Sequence, residues 1–249
     1  MKKQICLIAS LALLLTGCAD NSSSGSSDKA ASSTAASESA SGNTEGNDPA
    51  IDPEVQYNSH IVYSMGKNSD KNKLDEAAEV IGERINICVG GKQDVRKDYD
   101  ENKFTIYFDS DKNLSDFLAE QSAKPNKVVF RKGSADTDEV VLDGDDIDSV
   151  CDVYYGASEN FAVNITLSEK GGRVFSEVTS ELAGTSTPVS IWIDDECVSS
   201  PTVNAPVADG VLIITGNFDA QSTRELANRM NFPYLPYDVV VEESAHVSK

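Results

Sequence analysis

Histidine is nearly absent from this chain of 249 residues, which holds only His60 and His246. A Ser-His-Asp or Cys-His nucleophile needs a base within hydrogen-bond reach, and neither histidine flanks the Asp, Cys and Ser residues gathered in "SIWIDDECVSS" (Ser190–Ser200). Cysteine is sparse, five in all with no Cys-x-x-Cys spacing, so a structural zinc site lacks its ligand set. No glycine-rich phosphate loop is present: "SEKGGRVF" (Ser168–Phe175) pairs two glycines but lacks the Lys-Ser/Thr pair. Basic residues are outnumbered, 21 Lys and Arg against 41 Asp and Glu, for a net charge of −20. Such a surface repels phosphate backbones and anionic headgroups, which excludes nucleic acid as a partner. Carboxylates are abundant, so counting alone does not exclude a carboxylate-based hydrolase, but nothing singles out a pair. The expectation is no catalytic residue, no cofactor and no enzyme.

The first twenty residues carry the strongest local signal. Lys2 and Lys3 precede an apolar run at Ile5–Leu15, the length of a secretory h-region and too short to span a bilayer. It closes in "LTGC" (Leu15–Cys18), the pattern of a bacterial lipobox. Residues 1–17 are therefore expected to be a signal peptide and Cys18 the site of lipid attachment. No later segment offers 18 consecutive apolar residues. The expected location is the outer face of the cytoplasmic membrane, held there by lipid alone. Loss of Lys2 and Lys3 with the leader takes the net charge from −20 to −22.

Residues 18–56 read as a tether. Asp20–Ala50 contains ten serines and no aromatic or large aliphatic side chain, so it cannot bury enough apolar area to offset its ordering entropy. From Tyr57 onward the composition is that of a folded body. "HIVYSM" (His60–Met65) reads as a strand. Asn72–Cys88 reads as a helix, with Leu74, Ala77, Ala78, Ile81 and Ile85 on one face and Gly90–Gly91 at its end. "DVRKDYD" and "KFTIYF" form a hairpin, Asn113 caps a second helix, and "KVVFRK" (Lys127–Lys132) is a strand. The order is βαββαβ, the ferredoxin-like unit. After a polar turn at Asp143–Ile147 come strands near Ser149–Tyr154 and Phe161–Leu167, and a helix capped by Ser168. Strands at Pro188–Ile193, Cys197–Ser199 and Val211–Gly216 follow, then a helix capped by Asp219 and a last strand at Tyr237–Glu243. The class is α+β: a ferredoxin-like base at 57–135, a mixed α+β subdomain at 136–243, and a disordered tail at 244–249.

Three cysteines remain beside Cys18 in the mature chain, Cys88, Cys151 and Cys197. Cys151 and Cys197 are the preferred disulfide pair, and three reduced thiols fit as well. Asp109, Asp111, Asn113, Ser115 and Glu120 fall at calcium-loop positions, yet Leu114 stands where the loop needs glycine. A strand-to-helix loop is the better reading. "DGDDID" (Asp143–Asp148) leaves weak calcium binding open, with a solvated turn as the default.

Beyond Leu167 a longer pattern emerges. Leu167 and Gly171, Phe175 and Thr179, and Asp194–Asp195 are followed by Val198, Ser200 and Pro201. Gly210, Ile214, Thr215, Gly216 and Phe218 come next, then Leu226–Ala227 and Leu235–Pro236. This order resembles the head of the first extracytoplasmic domain of SecD, part of the SecDF accessory to the bacterial export channel. The resemblance is strong in the C-terminal half and weak before Lys127. It implies an α+β head on a smaller base and contact with emerging unfolded polypeptide. The family's membrane helices, and the proton coupling they carry, have no counterpart in this sequence. The family's small flexible turn before "L-P" is replaced by Phe232–Pro233. The implied function is a non-catalytic lipoprotein that binds unfolded polypeptide, an export-channel subunit or another envelope protein, as an accessory to export. An envelope scaffold unrelated to export is the alternative. In this frame "IWIDDECVSS" is a hairpin with Asp194–Asp195 at its turn, not a reactive cluster.

Overall fold

Helix and strand signals of these kinds resolve into four helices and eleven strands in a computed structural model that describes residues 56–66, 70–155 and 160–248. The leader, Cys18 and nearly all of the expected tether lie outside the described residues.

The base begins with β1 (Ser59–Met65), α1 (Lys71–Val89), β2 (Gln93–Asp98), β3 (Lys103–Phe108) and α2 (Lys112–Gln121). In α1 the five apolar residues at three- and four-residue steps are all buried. The Asp70 carboxylate accepts from the Lys73 amide at 2.9 Å, and Gly90 ends the helix at φ +59°, a left-handed cap that glycine takes without strain. The cap of α2 is Asp111, whose Oδ1 accepts from Leu114 N at 2.8 Å. Asn113, the expected cap, lies inside the first turn, because the Asp111 carboxylate two residues earlier already accepts from the Leu114 amide.

The second part comprises β4 (Val128–Lys132), β5 (Glu139–Asp143), a 3₁₀ turn (Gly144–Asp146), β6 (Ile147–Tyr155) and β7 (Asn160–Leu167). It continues with α3 (Glu169–Leu182), β8 (Val189–Ile193), β9 (Glu196–Ser199), β10 (Val211–Thr215) and α4 (Ala220–Asn231). Two antiparallel sheets, ordered β5-β4-β8-β9 and β10-β7-β6, enclose its core with α3 and α4. The strand β5 was not expected. Its exposed Glu139 and Val140 blur the alternation, and the acidic residues after it read as turn.

The chain then returns to the base. Strand β11 (Val239–His246) pairs antiparallel with β1, giving the order β11-β1-β3-β2. The ferredoxin-like base is thus present, but β11 closes it, not the strand at 127–132. Burial explains the exchange. Val128, Val129 and Phe130 are covered on both faces, as befits a strand between β5 and β8. Residues 239–241 of β11 run buried, exposed and half-buried, the pattern of a sheet edge with one wet face. This strand also reaches His246, where Nδ1 lies 2.9 Å from Ser59 Oγ, so residues 244–246, expected in a disordered tail, belong to the base sheet.

Each part has its own core. Ile61, Tyr63, Ile81, Phe104, Ile106 and Phe108 fill the base, and Phe130, Ile165, Phe175, Ile191, Ile193 and Ile214 fill the second part. Phe232 and Leu235, just after α4, pack into the base core.

Candidate functional site

The two parts join through a narrow neck made of residues 122–127 on the way out and 232–237 on the way back. Arg84, fully buried at 0% exposure on α1, holds both. Its Nη1 donates to Ser122 O at 2.9 Å and Lys124 O at 2.5 Å, and Nη2 donates to Pro125 O at 2.9 Å. Across the neck, Nε donates to Pro233 O at 3.0 Å, and Nη2 also reaches that oxygen. The Phe232 ring lies 5.4 Å from the guanidinium and 6.2 Å from Phe117. Burial pulls the Arg84 pKa down to about 10, opposed by Asp194, so it remains charged at neutral pH. Asp194 reinforces the neck. Its two carboxylate oxygens accept from Asn126 N at 3.1 Å and Lys127 N at 2.8 Å, with its own φ at +54°. The residue expected only to turn a hairpin therefore also fixes the chain leaving the base. Sequence could have flagged Arg84, since an arginine on the apolar stripe between Ile81 and Ile85 has no place to go but the core.

Beside the neck lies a groove of about 740 Å³. Phe117, Gln121 and Lys124 of the base form one side. Residues 192–198, the Gly216–Phe218 turn and α4 form the rest. Trp192 is buried with Nε1 donating to Ser190 Oγ at 2.8 Å. Phe218 folds back over Gly216, where an added Cβ would meet the ring at 3.0 Å. Arg229 pairs with Glu196 at 2.9 Å, and Glu225 accepts from Gln221 at 2.8 Å. The groove is apolar at its floor and carries Asp195, Glu196 and Glu225 around it.

Several residues of the sequence pattern have plain structural duties. Gly171 lets α3 pass against the 3₁₀ turn, because a Cβ there would lie 2.5 Å from Asp146 O. Phe175 meets Phe130 edge-on at 6.1 Å. Buried Thr179 donates to Phe175 O at 2.7 Å and accepts from Val207 N at 3.0 Å, pinning the loop before β10.

The remaining candidates do not converge. Cys151, exposed on β6, and Cys197, half-buried on β9 with its Sγ 3.6 Å from Ser199 O, stand in different sheets, so the preferred pair is not brought together. Burial pushes the Cys88 thiol up to about 12. In the acidic loop, Asp143 and Asp146 form a capping box, and buried Asp146 pairs with Lys170 at 2.9 Å, which raises the lysine's pKa. Asp109 accepts from Asn58 N at 2.9 Å. Among the described residues no three His, Cys, Asp or Glu side chains gather as metal ligands, and no helix is long and apolar enough to cross a membrane.

A ferredoxin-like base that gives out, through a pinned neck, to a two-sheet α+β head with a junctional groove defines a class of module. Over residues 115–237, about half of its length, the chain matches the family described as SecDF, P1 head subdomain. It is 32% identical over 90 residues to the protein translocase subunit SecD of Synechocystis sp., covering 34% of this chain and 19% of that one. The protein-export membrane protein SecD of Methanothermobacter thermautotrophicus is 29% identical over 177 residues, 70% of this chain and 41% of that one. The chain therefore spans about a fifth of the first of these relatives and two fifths of the second. Two solved structures share the fold. SecDF in a super-membrane-facing form superposes with a TM-score of 0.62 at 18% identity, over 75% of this chain and 30% of that one. A structure of SecDF, described as a membrane component that enhances protein export, gives 0.59 at 16% identity, over 74% and 98%.

Proposed function

We propose that this protein is an extracytoplasmic, lipid-anchored accessory to protein export that binds polypeptide and catalyses nothing. The observation that carries the reading is the SecDF P1 head match over residues 115–237, in a chain that sets this head on a βαββαβ base. Cys18 is its proposed lipid attachment point, and the serine-rich segment after it is the proposed tether. Relatives of this head are translocase subunits, so the partner classes are emerging polypeptide and the export channel.

Replacement of exposed Tyr234 by a photo-crosslinking residue in the full-length chain tests this in cells. Adducts with channel subunits or with secreted precursors are expected. Adducts confined to wall or surface proteins would replace the reading with that of an envelope scaffold. A carboxylate-based hydrolase would show itself as turnover that a paired-carboxylate substitution abolishes.

A further inference from the structure

The groove beside the neck has an open strand along it. β9 pairs on one side only, with β8, through Ile191↔Ser199, Trp192↔Cys197 and Ile193↔Glu196. An unpaired strand edge is a template for one more strand. Other sheet edges exist, but β9 is the one whose residues line this groove together with Trp192, Phe218 and Leu226. An added strand sends alternate side chains to opposite faces. One set would rest on that apolar floor, and the other would stand beside Asp195, Glu196 and Glu225. Of the groove-lining charges, Arg229 and Glu196 offset each other at 2.9 Å and Lys124 pairs with Glu120 at 3.6 Å, so the acidic excess along the groove rests chiefly on Asp195 and Glu225.

We infer that the groove takes a short extended polypeptide segment in which apolar and basic residues alternate, added as a strand to β9. This rests on the polypeptide-binding reading above and specifies which segments are taken and where. The acidic surroundings and the net charge of −20 favour a cationic segment over an acidic one. A second copy of this chain is disfavoured for the same reason, since it would set the acidic residues against themselves. The four residues of β9 match a segment of about four to six residues at roughly 3.3 Å each. Because Phe117 comes from the base, an occupant touches base and head together.

The test uses the full-length chain and two labelled nine-residue peptides, Val alternating with Lys and Val alternating with Glu. Trp192 is the only tryptophan, so its emission reports the groove. The Val/Lys peptide is expected to bind, to change Trp192 emission, and to bind at least tenfold more tightly than the Val/Glu peptide. Glu196→Gln with Glu225→Gln should weaken it roughly threefold to tenfold, as one exposed and one half-buried charge would. The peptide-free emission maximum should stay put, which shows that the variant has folded. Equal affinity for both peptides, an unaffected variant, or silent Trp192 emission overturns the inference, as does self-association that the peptide blocks. If a reduced, alkylated unfolded protein still binds in that case, polypeptide binding stands and only the groove assignment falls. If nothing binds, both fall.

Discussion

Arg84 spreads its guanidinium over the carbonyls of Ser122, Lys124, Pro125 and Pro233. Arg84→Met would leave those buried oxygens unmatched and should lower stability by about 3–5 kcal/mol in denaturant titration, with Arg84→Lys restoring little because one ammonium cannot span the fork. Asp194 invites a graded series. Asp194→Ala loses the acceptor for two amides and puts alanine, which tolerates left-handed backbone less readily than Asp or Asn, at φ +54°, for an expected loss of about 2–3 kcal/mol. Asp194→Asn keeps one acceptor and tolerates that φ, so its thermal midpoint should fall between the two. Cys88 makes a pH prediction. Its folded pKa of about 12 lies above its ordinary 9.0, so the stabilising effect is complete below pH 9 and declines as pH rises toward 12. The slope should be under about 1 kcal/mol per pH unit, given that the thiol is partly exposed. Cys88→Ala should flatten the first part of that decline, up to about pH 10, above which Tyr63, whose pKa burial also raises from its ordinary 10.0, ionises in the unfolded chain and adds a decline of its own. In the native protein a thiol reagent should label exposed Cys151 first and half-buried Cys88, with its raised pKa, more slowly.

At the scale of elements, the helices were plain in the sequence because each carries a cap and an apolar stripe. Asp70, Ser168 and Asp219 cap their helices as N-terminal carboxylate and hydroxyl residues do. The pairing of strands was not legible. Residues 128–132 and 239–246 are both valine-rich, and only the tertiary context decides which lies beside β1. Local order favoured β4, the next strand in the chain, while the sheets assign it to the head. The groove was hidden for a related reason, since Phe117, Trp192, Phe218 and Glu225 come from four separate segments. Its pieces were visible as pattern residues, but their convergence was not. The return of β11 is open to experiment. A chain ended at Pro236 loses one of the two strands that pair with β1 and leaves β1 as a bare edge, so limited proteolysis should cut within the base while residues 128–231 resist.

On the scale of the whole molecule, the head is inserted into the base and both crossings pass through one pinned neck. The resemblance implies a small flexible turn where this chain has Phe232–Pro233, and here Phe232 enters the base core while Pro233 O receives Arg84. The lipid proposal is tested at the same scale: Cys18→Ala should move the full-length protein from the membrane fraction to the soluble one. The register of the base sheet adds a mechanical consequence. Met65 faces Val239, next to the neck, and Ser59 faces His246 at the opposite end. A tether entering at β1 and a load gripped by the head would therefore pull from opposite ends of that sheet. The tension runs along the β1–β11 ladder, so its hydrogen bonds are loaded together in shear, not opened one at a time like a zip.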